Sequence, residues 1–150
     1  MPGLKDRLRS DLNAAMKERD EVTTATLRMA LTAVTTEEVA GDAVRELSDD
    51  DVLRVLTREA KKRREAAEAF DGAGRDELAD RERAERAVLD RYLPAQLSDD
   101  ELAELITAAI AESGASSPRD MGAVMKIVAP KVAGRADGKR VSDEVRRRLS

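Results

Sequence analysis

Apolar residues recur every three to four positions along almost the whole chain, and period-two alternation is missing. That spacing puts apolar side chains on one stripe of a helix, so the sequence predicts an all-α protein. Leu4, Leu8, Leu12, Ala15 and Met16 predict a first helix over about 4–17, and Leu27, Ala30, Leu31 and Val34 a second over about 22–38, closed near Gly41. A third starts at Ser48, an N-cap with Asp51 at N3 and Leu47 and Val52 placed to staple the entry, and runs to about Phe70. Asp71-Gly72-Ala73-Gly74 then reads as a turn into a fourth helix over about 75–92, stopped by Pro94. The third and fourth helices carry few apolar residues for their length. They predict a long, protruding helical hairpin whose outer end has little core.

A second unit follows. Leu97, Ser98, Glu101 and Leu102 repeat the cap-and-staple pattern, which starts helices well and is no evidence of a repeat. A helix over about 99–112 ends at Gly114. The next opens with Ser117 as N-cap, Pro118 at N1 and Asp120 at N3, and buries Met121, Val124, Met125 and Val128. A loop around Gly134, Arg135, Asp137 and Gly138 leads to a last helix over about 142–149, with Val141, Val145 and Leu149 inward. The expected organisation is an N-terminal helical part over 1–94, followed by a C-terminal three-helix bundle over 95–150.

Composition narrows the chemistry. Cysteine and histidine are both absent, which excludes thiol nucleophiles, disulfides, zinc sites of the usual types and Ser-His-Asp triads. With one Tyr, one Phe and no Trp, aromatic base-stacking platforms are nearly excluded. No Gly-rich phosphate loop is present, and no cofactor is expected. Asp49-Asp50-Asp51 and Asp99-Asp100 could suggest a Mg²⁺ or Ca²⁺ site, but acidic residues belong in a first helical turn, and no metal is expected. No apolar leader is expected, because the stretch around Leu4 to Leu8 is amphipathic, and no apolar run nears the ~18 residues of a membrane span. The expectation is a cytoplasmic protein with no membrane contact. Twenty Arg, seven Lys and 25 Ala suit a GC-rich bacterial source.

The net charge of −4 hides an asymmetry: residues 1–117 hold 18 basic and 27 acidic residues, residues 118–150 nine basic and four acidic. A basic end on an acidic body points to contact with a polyanion, or to cations that merely solvate helix surfaces, those of 146–148 also suiting a helix C-terminus. The candidate contacts are Lys126, Lys131, Arg135, Lys139, Arg140, Arg146, Arg147 and Arg148. Gly134 and Gly138 around Arg135 would let backbone approach a phosphate; the same loop could simply be a tight helix connection in which Asp137 bonds its own turn. A second basic patch, Lys61, Lys62, Arg63 and Arg64, is either a solvated face, with Glu65 and Glu68 as i+4 partners, or a phosphate contact.

Several short motifs occur in a specific order: Thr26-Leu27-Arg28-Met29, Lys61-Lys62-Arg63, Ala73-Gly74-Arg75, Tyr92-Leu93-Pro94 with Gln96-Leu97-Ser98, Asp120-Met121-Gly122 with Val124-Met125, and Gly134-Arg135-Ala136-Asp137-Gly138. Together they resemble the YqeY-like proteins of the GatB/YqeY family over nearly the whole chain. The resemblance implies a C-terminal part similar to the tail domain of GatB, the B subunit of the tRNA-dependent amidotransferase. Gly122, Val124, Met125, Lys126, Gly134, Ala136 and Val141 match that tail. In the amidotransferase the tail helps engage tRNA, while the ATP and metal site lies in another domain that nothing here resembles. The family's label, a carbon–nitrogen ligase with glutamine as amido-N-donor, is therefore not expected of this chain alone.

Three functions follow as expectations. The first is a non-catalytic tRNA- or RNA-binding accessory module. The second is an adaptor that docks an amidotransferase or another translation component through the helical hairpin. The third is a component of the ligase itself.

Overall fold

In a computed structural model, residues 3–132 and 135–150 are described. They form seven α-helices, and no strand occurs among them: α1 Leu4–Glu18, α2 Glu21–Glu38, α3 Asp49–Gly72, α4 Asp76–Asp90, α5 Asp99–Ser113, α6 Met121–Val132 and α7 Gly138–Leu149. A 3-10 turn, Pro118–Asp120, leads into α6. The helices fall into two compact units, Met1–Leu93 and Pro94–Ser150.

In the first unit α3 and α4 pack side by side, with α1 and α2 against them. Leu8, Leu27, Leu56 and Leu89 are fully buried at its centre. Arg19 closes α1 in the left-handed conformation, φ 57°, and donates its N–H to Ala15 O and Met16 O. The next residue, Asp20, caps α2 by accepting from Thr23 N at 3.0 Å. One turn carrying both a helix stop and a helix start folds α2 back onto α1.

The α3–α4 hairpin is closed at its outer end with small residues and ion pairs. Ala67 and Ala79 are buried, Phe70 is half-buried and Leu78 is exposed. Arg83 grips Asp71 across the hairpin with bonds of 2.7 and 3.2 Å and reaches Asp80 at 2.9 Å. Gly74, at φ 72°, supplies the left-handed residue that the turn requires.

The second unit packs α5, α6 and α7 around Ile106, Val124, Val128, Val141 and Val145. Ser48 and Ser98 both form full capping boxes, with Asp51 and Glu101 bonding back to the cap N–H. Leu47 and Val52 are buried in the first core, Leu97 and Leu102 in the second. Asp120 accepts from the N–H groups of Ser116 and Ser117 at 3.0 and 3.3 Å, which fixes the entry to α6.

The start of α7 differs from the sequence expectation. The helix begins at Gly138, one turn before Ser142, with Asp137 as its extended N-cap residue. Ser142 is no cap: its hydroxyl donates back to Gly138 O at 2.7 Å, as interior helical serines do. Gly138, Lys139 and Arg140 are thus helical, and Gly138 needs no left-handed backbone. Gly134 lies outside the described residues.

Candidate nucleic-acid interface

The eight C-terminal cations divide by what they touch. α7 buries Val141, Val145 and Leu149 at i, i+4, i+8, so its charged residues share the remaining arc. Arg148 reaches from α7 to α5, where it donates to Thr107 Oγ1 at 2.6 Å and to Ala103 O at 3.4 Å. Arg140 donates to Leu97 O at 3.1 Å and pairs with Asp99 at the start of α5. Arg135 donates to Ala95 O at 3.1 Å, and its own carbonyl accepts from Leu97 N at 2.8 Å. These three arginines fasten the segment before α5, and α5 itself, to the rest of the unit.

Arg147 and Arg148 both bond Glu144 and hold its carboxyl near pKa 2, Arg147 more strongly. Arg146 lies exposed, 3.4 Å from Asp143. Lys126, Lys131 and Lys139 are exposed, and no ion pair joins them to another described residue. Lys126 and Lys131 sit five residues apart on α6, about 140° around the helix, so they do not form one stripe. The structure therefore gives the eight cations three different local settings. It commits three to holding the unit, pairs two with acids and leaves three lysines open.

The second basic patch also divides. Lys62 bonds Glu59 at 3.0 Å and Lys61 lies 4.0 Å from Glu65, both on the surface. Arg63, in contrast, is buried, with 5 % of its side chain exposed. It donates to Glu59 O at 2.9 Å and pairs with the Glu59 and Glu85 carboxylates at 3.4 and 3.5 Å. Its Nε makes no hydrogen bond, although Glu85 lies beside it. Arg63 is thus removed from any phosphate-contacting patch.

The surface of the first unit includes two clefts among the described residues. One, of about 590 Å³, runs between α2 and α3 and includes Met29, Ala33, Val55, Arg58 and Lys62. The other, of about 250 Å³, surrounds Tyr92. The Tyr92 hydroxyl donates to Asp11 Oδ2 at 2.5 Å while the Arg7 guanidinium stacks 4.8 Å from the ring centre. Burial, then the Asp11 bond, push the Tyr92 hydroxyl above its ordinary range, so it is a donor and no base near neutrality. Among the described residues, no group of three carboxylates could hold a metal ion, and no helix is long and apolar enough to cross a membrane.

The family model described as Yqey-like protein matches residues 5–149. The chain belongs to the YqeY-like family. A further relative, "Uncharacterized protein C22F3.15" of Schizosaccharomyces pombe, is 34 % identical over 100 residues, covering 66 % of this chain and 79 % of that protein. In this YqeY-like chain, sequence reasoning missed Arg63 as a core residue and the Tyr92–Asp11 pair. For Arg63 a signal was present. Leu56, Ala60, Arg63 and Ala67 follow 4-3-4 spacing, so Arg63 stands on the buried stripe of α3. For Tyr92 the one hint was that the chain holds a single tyrosine beside the end of an amphipathic helix.

Proposed function

We propose that this YqeY-like chain is a non-catalytic RNA-binding module of the cytoplasm, with tRNA as its first candidate ligand. The observation that supports this reading is the charge polarity of the second unit. α5 carries five acidic residues and no basic one, whereas residues 118–150 hold nine basic and four acidic residues. A bundle polarised in this way turns its α6–α7 side towards a polyanion. The resemblance to the GatB tail favours tRNA among polyanions, in or near tRNA-dependent amidation. The contacts would be phosphate-directed, made by Lys126, Lys131, Lys139 and Arg146, because Arg135, Arg140 and Arg148 are engaged within the unit. Docking through the α3–α4 hairpin is less favoured: Leu78 is its one large apolar side chain exposed among the described residues.

The test is binding to bulk tRNA and to a length-matched RNA duplex across a salt series. The expected outcome is tighter, salt-sensitive binding to tRNA. Each of Lys126→Ala, Lys131→Ala and Lys139→Ala should flatten the log–log salt slope by about one unit. Equal weak binding to both RNAs, or an unchanged slope in the triple variant, would overturn it. Heat on titration with ATP–Mg²⁺ would point instead to the ligase component.

A further inference from the structure

The α2–α3 cleft has an unusual lining for a chain so rich in charge. Its α2 wall carries Met29, exposed at 49 %, with Thr32, Ala33 and Thr36; Val55 of α3 lies at its floor, buried in the core. The two threonines spend their hydroxyls within α2: Thr32 Oγ1 donates to Arg28 O and Thr36 Oγ1 to Thr32 O, both at 2.9 Å. What they leave for an occupant is chiefly their methyl groups. The wall is therefore more apolar than its sequence.

Cations stand on both sides of this trough. Arg28 on α2 is exposed, and among the described residues its guanidinium bonds a sulfur, Met16 Sδ, at 3.3 Å. Arg58 and Lys62 stand on α3, one helical turn and about 6 Å apart. Three cations and two carboxylates line the cleft, and Arg58 and Lys62 each already pair with one of those carboxylates, so the lining keeps one net positive charge. Glu59 faces the buried Arg63, with Lys62 at 3.0 Å, and Glu37 is shared between Arg58 and Arg45 at 3.3 and 3.9 Å. A local cationic rim on a net acidic unit is a complementary surface for an acidic partner.

We propose that the α2–α3 cleft is a docking groove for a partner's amphipathic helix that carries acidic residues along its apolar stripe. The lining spans Arg28 to Glu37 on α2 and Val55 to Lys62 on α3, about 10–14 Å, or two to three turns of a docked helix. Acids one turn apart on that helix would meet Arg58 and Lys62, and an acid on its other flank would meet Arg28. A small apolar acid has one carboxylate and cannot use both walls. This site lies in the first unit and is independent of the RNA reading.

The test begins with selection from a phage-displayed library of random peptides of about 16 residues on the immobilised full chain. The expected consensus has apolar residues at i, i+3 or i+4, and i+7, flanked by Asp or Glu. The strongest peptide, labelled for fluorescence anisotropy, should bind Arg58→Glu/Lys62→Glu at least roughly tenfold more weakly, while Lys126→Ala leaves it unchanged. A version with its acids replaced by Lys should regain affinity for the charge-reversed protein. Both substituted side chains are on the surface, and far-UV circular dichroism confirms the fold. A basic or patternless consensus, no enrichment, or indifference to the charge reversal would overturn the proposal. So would complete displacement by dodecanoate, or self-association of the free chain that blocks the groove.

Discussion

Arg63 in the hairpin and Arg148 in the last helix are the same residue type in similar basic tracts, yet their fates are opposite. Arg63 follows two lysines and is almost fully buried between Glu59 and Glu85. Arg148 follows two arginines and stays at the surface, reaching along α7 to fasten α5. The tract does not decide the outcome; the position on the helix does. Arg63 stands on the stripe of Leu56, Ala60 and Ala67, while Arg148 stands beside the stripe that Leu149 fills. A guanidinium inside needs compensating carboxylates, because a buried unpaired charge is costly. One at the boundary lays its stem on apolar surface and sends its head to carbonyls and hydroxyls. Each unit thus uses arginine structurally, one as a buried ion and the other as a set of surface fasteners.

The largest effect should come from breaking the buried ion. Arg63→Ala leaves Glu85 facing Arg81 at 3.3 Å and Glu59 facing Lys62. The expected loss is about 3 kcal/mol in urea unfolding, at the low end for a buried pair because those partners remain. The double variant Arg63→Met/Glu85→Leu should recover most of it, since an apolar pair of similar volume needs no compensation. If Arg63→Ala cost no more than a surface arginine, the contrast with Arg148 would fail.

Most of the fold was legible because helix starts, stops and stripes are local signals. The pattern marks Ser48 and Ser98 as caps, and both form capping boxes; it marks Gly114 as a helix end, and Gly114 closes α5 at φ 71°. What escaped depends on partners distant in sequence. Glu85 lies 22 residues beyond Arg63, and no i, i+4 rule connects them. The sequence places the last helix from about Ser142, yet it starts one turn earlier, after Asp137, and the serine bonds back into the helix. The expected basic face was legible as composition only. Which arginines are engaged depends on the carbonyls of 95, 97 and 103 lying within reach, and packing alone sets that.

The capping boxes of Ser48 and Ser98 offer an intermediate test of the same contrast. Ser48→Ala and Ser98→Ala should each cost about 1 kcal/mol, because each leaves an N3 amide without its acceptor. The losses should be alike, since the same bond from an N3 amide to the cap hydroxyl opens helices of the two units. Separate probes in the two units, such as amide exchange in α3 and in α5, would read each loss where it occurs.

The smallest effect is one of pH, and it isolates the fasteners. Arg147 and then Arg148 hold Glu144 near pKa 2, against an ordinary value of 4.5. A carboxylate depressed in the folded state stabilises fully above its unfolded value, and the contribution disappears as pH falls from there through the folded value. Glu144→Gln should therefore lower the Tm of the second unit at pH 7. The gap to the parent should narrow below about pH 4.5 and close near pH 2. Much of the Arg147–Glu144 contact is solvent-exposed, so the shift should be small and should shrink further in high salt. Arg147→Ala should reproduce only part of it, because Arg148 still bonds Glu144. A gap that stayed constant from pH 7 to pH 2 would show that Glu144 acts through packing and not through its charge.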